Sequence, residues 1–221
     1  MSKDRSRSRG ADPPLGQLLA TIEALTGRPA APRESEQFRR YLDLIVKWNR
    51  VHRLTGLQSE ARIARDLLED SLLFLRVLPS HPIAVVDVGT GVGIPGVPLR
   101  IVRPDISLTL VESRRKCVSF LATLCRELGL TDVRVLEGRA EQVVKEAEMR
   151  GAFDVVVSRA VGLTLLRAGL GLLKPEGLFV ASGPPPSPAM AVKSTLAEVV
   201  DIHYPELGRR RSFIVARCRQ G

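Results

Sequence analysis

Aromatic residues are scarce in this chain: six Phe, two Tyr and one Trp make up 4% of 221 residues. Stacking platforms of the kind that grip single-stranded nucleic acid are therefore not visible. Three cysteines, Cys117, Cys125 and Cys218, are odd in number and show no C-x-x-C spacing. Cys117 and Cys125 fall on one predicted helix, where they read as small buried thiols. His52, His81 and His203 share no metal-ligand spacing, and no metal is expected. No apolar run approaches the ~18 residues that a membrane span requires. The opening segment Met1–Gly10 has no apolar core and does not read as a secretory signal. These absences fit a cytoplasmic protein that makes no use of a membrane.

Positive charge is abundant. The net charge is +9, with arginine strongly favoured over lysine. Basic residues recur in the N-terminal tail, at Arg114-Arg115-Lys116 and at Arg209-Arg210-Arg211. Such clusters can neutralise phosphates and release counterions, so a polyanionic partner is expected. A solvated basic surface is the plainer alternative for any one of them.

Hydrophobic residues make up 44% of the chain, enough for a full core. Residues 1–14 read as a basic flexible tail bounded by Pro13-Pro14, residues 15–80 as a helical extension, and residues 81–221 as an α/β domain. Three amphipathic stripes occupy the extension. The first is Leu18, Leu19, Ile22 and Leu25, closed by Gly27 as a C-cap. The second is Phe38, Tyr41, Leu42, Ile45 and Trp48. The third, opening after Ser59, is Ile63, Leu67, Ser71, Phe74, Leu75 and Leu78. From Ile83 onward strands are predicted near 84–88, 107–112, 132–136, 154–158, 177–182, 198–204 and 212–217. Helices fill the gaps, most clearly at 114–128 and 163–173. This alternation predicts a mainly parallel sheet with helices on both faces. The short connection between the final two strands suits an antiparallel last strand.

The run Asp87-Val-Gly89-Thr-Gly91-Val-Gly93-Ile-Pro95-Gly96 follows the apolar strand Ile83–Val88. Glycines at alternate positions let the backbone turn sharply and approach a ligand. Pro95 suits the first position of a helix, whose N-terminus would present free N–H groups. Gly91-Val-Gly93-Ile-Pro-Gly96 satisfies the dinucleotide fingerprint, so NAD or FAD competes for the site. The longer Asp-x-Gly-x-Gly-x-Gly is the loop of S-adenosylmethionine-dependent methyltransferases. Glu112, at the end of the next predicted strand, can accept hydrogen bonds from the hydroxyls of an adenosine ribose in either case.

A narrower pattern is carried by several segments in order. These are Trp48-Asn49 with Leu54-Thr55, Asp70-Ser71, the glycine loop continued as Pro-Gly-Val-Pro-Leu99, Ile101-Val-Arg-Pro104, Gly138-Arg-Ala-Glu141 and Ser158-Arg-Ala160. Together they resemble the bacterial 16S ribosomal RNA guanine-N7 methyltransferases, the glucose-inhibited division protein B family. The resemblance runs from about residue 35 to the last strand. It implies a Rossmann-like class I methyltransferase fold, with a seven-stranded mainly parallel sheet behind an N-terminal helical extension. It further implies methyl transfer from S-adenosylmethionine to one guanine in the 530 loop of 16S rRNA, in the rRNA or the small ribosomal subunit, by an enzyme expected to be a monomer.

The implied donor site comprises Gly89, Gly91, Gly93, Ile94, Glu112, Ala140, Glu141 and Arg159. Arg159 is also the expected cation beside the target guanine, with a structural ion pair as its other reading. Asp70-Ser71 reads equally as pocket wall or helix surface. Guanine N7 carries a lone pair and no proton, so little catalytic equipment beyond alignment is required. The chain departs from the family pattern at Arg53, in place of Asn, and at Leu67, in place of His. It departs again at Ala181-Ser182-Gly183, where members carry Lys-Gly. A methyltransferase fold turned to another RNA or to a non-catalytic rRNA-binding role, and a nicotinamide oxidoreductase, are the competing readings.

Overall fold

The computed structural model describes residues 13–159, 162–182 and 197–218. Most of the expected basic tail, residues 1–12, lies outside them. Pro13 and Pro14 are the first residues of α1 (Pro13–Thr26), which ends at Gly27 with φ +72°, in the left-handed region glycine tolerates best. The second stripe is α2 (Pro32–His52), which buries Phe38, Tyr41, Leu42 and Ile45.

The third stripe departs from a regular helix. After α3 (Glu60–Ile63) the chain widens into a π-helical segment, Ala64–Glu69. It then resumes as α4 (Asp70–Leu72) and tightens into a 3-10 turn, Leu73–Arg76. The wider turn rotates the following residues around the axis, and both Asp70 and Ser71 are buried.

Seven strands follow: β1 (Ile83–Val88), β2 (Ile106–Glu112), β3 (Val133–Glu137), β4 (Phe153–Ser158), β5 (Leu173–Ala181), β6 (Glu198–Tyr204) and β7 (Arg209–Arg217). Their spatial order is β3-β2-β1-β4-β5-β7-β6. The first five pair in parallel, and β7 inserts antiparallel between β5 and β6. Helices α5 (Gly96–Val102), α6 (Arg115–Glu127), α7 (Ala140–Val143) and α8 (Leu163–Leu172) complete the crossovers.

Successive strand residues point to opposite faces, and here both faces are buried. Val85, Leu108, Leu110, Val155 and Val157 join one apolar cluster with the N-terminal helices, α5 and α6. Val86, Val88, Val111, Val156 and Phe179 join a second with α7 and α8. The N-terminal helices thus form one continuous core with the sheet face beside the glycine loop. Cys117 and Cys125 are buried in α6. No helix among the described residues is long and apolar enough to cross a membrane.

Candidate active site

The carboxyl ends of β1, β2 and β3 meet at one corner. Gly89 and Gly91 have φ of +71° and +62°. A side chain at Gly89 would meet nothing within 4 Å, so the backbone there faces open space. Gly93 is glycine for another reason. A Cβ would stand 2.7 Å from the Tyr41 hydroxyl and 2.9 Å from Val97, which makes close packing the requirement. The Tyr41 hydroxyl donates to the Val92 carbonyl at 2.6 Å, so α2 supports the loop from beneath.

The expectation of free loop amides is not met. Gly89 and Thr90 N–H donate to the Val111 carbonyl, and Gly93 and Ile94 N–H donate to the Thr90 carbonyl. Gly91 N–H donates to Glu112 Oε2 at 2.8 Å, and Gly96 N–H to Asp87 Oδ2 at 2.8 Å. Pro95 is the residue before α5 rather than its first, because the loop closes in a turn of its own. The N-terminus of α5 is therefore already faced by a carboxylate.

Asp87 is fully buried. Thr90 Oγ1 donates to its Oδ2 at 2.6 Å, while Oδ1 has no hydrogen-bond partner. Burial pushes its carboxyl up to about 7, against the opposing effect of the Thr90 and Gly96 bonds. Glu112 ends β2 and is also buried; its Oε1 accepts the Arg114 N–H at 2.8 Å. Gly138 N–H donates to the Glu112 carbonyl at 3.0 Å, which brings the start of α7 alongside. There Ala140 is buried and Glu141 is exposed. Ile94 is half-buried at the loop's far end.

The structure thus gathers Gly89, Gly91, Ile94, Glu112, Ala140 and Glu141 around one corner. Arg159 follows β4 on the other side of β1. It does not extend freely: its Nη2 lies 2.9 Å from Asp70 Oδ2 and its Nη1 donates to the Asp66 carbonyl at 2.8 Å. That carbonyl belongs to the π-helical segment. Burial draws the Arg159 guanidinium below its ordinary pKa, and Asp70 opposes this. Asp70 is buried and ion-paired, not exposed helix surface.

Asp87 and Tyr41, which hold the glycine loop from within, had no role in the sequence reading, and Asp70 had a place but no partner. Asp87 had a signal, as the acid opening the glycine motif. Tyr41 was hidden in an apolar stripe, and the burial of Asp70 depends on a π turn that periodicity does not announce. At two departures from the family pattern the structure supplies a local account. Arg53 sits at φ 47°, a left-handed conformation that Asn adopts more readily than Arg. Ser182 is buried, and its Oγ accepts Arg211 Nη2 at 3.1 Å.

A five-strand parallel run closed by an antiparallel hairpin, with a glycine loop and the buried Glu112 at its carboxyl edge, defines a class I methyltransferase-like fold. A methyltransferase from Pyrococcus furiosus superposes with a TM-score of 0.57 at 18% identity, covering 84% of this chain and 100% of that one. A SAM-dependent methyltransferase from Aquifex aeolicus gives 0.54 at 16% identity, covering 75% and 97%.

The family model of GidB, described as rRNA small subunit methyltransferase G, matches residues 34–183, and the chain belongs to that family. Proteins called ribosomal RNA small subunit methyltransferase G are 37% identical over 170 residues in Chloroflexus aggregans and 38% over 168 in Brevibacillus brevis. These matches cover 73% and 75% of this chain and 71% of each relative. A third, from Lactococcus lactis subsp. lactis, is 33% identical over 153 residues; that match covers 67% of this chain and 64% of the relative.

Proposed function

We propose that this protein transfers a methyl group from S-adenosylmethionine to N7 of a guanine in the 530 loop of 16S rRNA, acting as a monomer in the cytoplasm. The observation that carries the choice of cofactor is the hydrogen-bonding state of the loop. A pyrophosphate requires free N–H groups at a helix N-terminus. Here the amides of residues 89, 90, 91, 93, 94 and 96 are all used internally, and the buried Asp87 carboxylate already takes the Gly96 N–H at the start of α5. A carboxylate with an unpartnered buried oxygen suits a cationic ligand instead. The nicotinamide reading loses its support.

S-adenosylmethionine supplies a methyl group already activated on a positively charged sulfur. Gly89 and Gly91 admit the amino-acid end of the donor, and Asp87 answers its positive charge. Glu112, fixed by the Gly91 and Arg114 amides, keeps lone pairs for the ribose hydroxyls. Ala140 and Glu141 border the adenine, and Ile94 closes the loop side. Gly93 serves this site by letting Tyr41 pack beneath it. Arg159 faces the target base from the end of β4, held by Asp70 and the Asp66 carbonyl. It orients guanine through O6, while N7 attacks with its own lone pair and needs no base. Monomeric behaviour is supported by the exposed surface: Val51 and Val199 are the exposed large hydrophobics among the described residues.

The test is to map N7-methylated guanines in 16S rRNA from a strain lacking the gene and from the same strain carrying it again. A single N7 mark in the 530 loop that disappears and returns is the expected result. An unchanged methylation map refutes the proposal.

A further inference from the structure

Beyond the donor corner, Arg159 and Asp70 belong to a larger cluster of charges at the ends of β4 and β5, whose other members the methyl-transfer chemistry does not use. Arg209 and Arg211 project from β7 toward Glu69, the last residue of the π-helical segment, and Asp70, the first of α4. Arg209 Nη1 lies 2.6 Å from Glu69 Oε1, and its Nη2 lies 3.8 Å from Asp70 Oδ1. Arg211 Nη2 lies 3.1 Å from Asp70 Oδ2, the same oxygen that faces Arg159. Three guanidiniums therefore share two carboxylates.

The surroundings do not restore the balance. Asp66 is taken by Arg62 and Arg65, and Arg76 is matched by Glu206. Asp87 also attracts Arg159, but it makes no ion pair with it and is engaged by Thr90 and the Gly96 N–H. The segments that follow β4 and β5 in sequence, 160–161 and 183–196, contain no Asp or Glu. Despite the short distances, Asp70 Oδ2 has no aligned hydrogen bond, and Arg211 Nε is buried without a partner. Side-chain exposures of 20% for Arg159, 16% for Arg211 and 32% for Arg209 leave an opening to solvent. A half-buried excess of positive charge is costly unless an anion completes it. A planar guanidinium fork fits phosphate oxygens in particular.

We infer that Arg211, anchored by Asp70, binds a backbone phosphate of the RNA substrate beside the target nucleotide. Arg211 lies outside the residues matched by the family model, which end at 183. Asp70 is a positioning residue that sets the spacing of Arg159 and Arg211. Arg159 takes the base, and Arg211 takes the phosphate. This assignment rests on the RNA-methylating reading of the site.

The experiment compares wild type, Arg211→Gln, Arg211→Lys and Asp70→Asn as full chains. Affinity for deproteinised 16S rRNA is measured across salt concentrations, donor affinity by calorimetry, and folding by thermal melts. Arg211→Gln is expected to bind RNA roughly tenfold more weakly, with a salt slope shallower by the equivalent of about one phosphate, and to bind the donor unchanged. Arg211→Lys should recover the slope but only part of the affinity. Asp70→Asn makes the protein more positive by one charge, which by charge alone tightens RNA binding; a positioning role requires it to weaken. If Asp70→Asn fails to fold, the two Arg211 variants decide the matter. A loss of donor affinity with an unchanged RNA slope overturns the assignment in favour of a donor carboxylate. Unchanged RNA and donor affinities overturn it in favour of a structural ion pair. Should wild type itself ignore 16S rRNA, the functional reading fails first and this one with it.

Discussion

Asp87 is the residue whose chemistry reaches furthest, because its burial sets a stability cost and, on the proposed function, a binding preference. Its carboxyl titrates near 7 when folded, against an ordinary value of 3.8. The folded protein therefore holds a proton that the unfolded chain gives up, and stability falls as pH rises between those values. The slope is at most about 1.4 kcal/mol per pH unit, and it vanishes above the folded pKa. Asp87→Asn keeps an oxygen for Thr90 and Gly96 while removing the titration. Relative to wild type, the variant should gain stability from pH 5 to 7 and level off near pH 8, as read by denaturant melts. A donor carrying positive charge favours the ionised form, so wild-type donor affinity should rise through pH 7 beyond any rise in Asp87→Asn. Parallel pH profiles for the two proteins would remove Asp87 from the donor site.

At the scale of elements, α2 and the glycine loop form one mechanical unit. Tyr41 reaches from the middle of the helix to the Val92 carbonyl, and Gly93 is small so that it can. Tyr41→Phe should leave a buried carbonyl unpaired and cost about 1–3 kcal/mol in unfolding free energy. It should also weaken donor binding several-fold in calorimetry, although Tyr41 is not assigned to touch the donor. Full donor affinity in that variant would show that the loop holds its shape unaided. The strands were legible because β-branched runs bounded by Gly and Pro leave few alternatives, and all seven lie within a few residues of their expected places. The two long helices α1 and α2 were legible from their stripes. The third stripe was not, because a π segment keeps the apolar spacing roughly intact while turning Asp70 inward. For the same reason the sequence offered an ion pair as one reading of Arg159 but did not show that Asp70 is its partner. The loop's internal hydrogen bonds were hidden too: the glycine pattern fixes where the chain can bend, not which acceptors its amides find.

For the whole molecule, the question is where a net charge of +9 is spent. One concentration surrounds the donor corner. Lys116 Nζ donates to the His52 carbonyl at 2.8 Å, which joins the start of α6 to the end of α2. The exposed side chains of Arg50, Arg53, Arg114, Arg115 and Lys116 consequently share one rim beside the glycine loop. Only weak carboxylate pairings oppose them among the described residues, Arg114 with Glu112 at 3.4 Å and Arg115 with Glu137 at 3.6 Å. The exposed Arg115–Glu137 pair contributes little and is screened by salt, and the exposed Arg114 reaches the buried Glu112 only at long distance. An RNA backbone laid across the rim would release its counterions there, whereas Arg217, at the opposite end of the sheet, would take no part. Converting Arg50, Arg53 and Arg115 to Gln should make the salt dependence of 16S rRNA binding shallower by about 0.7–0.9 for each phosphate no longer neutralised. Arg217→Gln should leave the slope unchanged, although it removes the same charge per residue. Donor affinity should be preserved in both proteins, because none of these side chains is assigned to the donor. Equal slopes for the triple variant and wild type would show that the rim is only solvated charge, and that RNA reaches the methyl group from the β5 side alone.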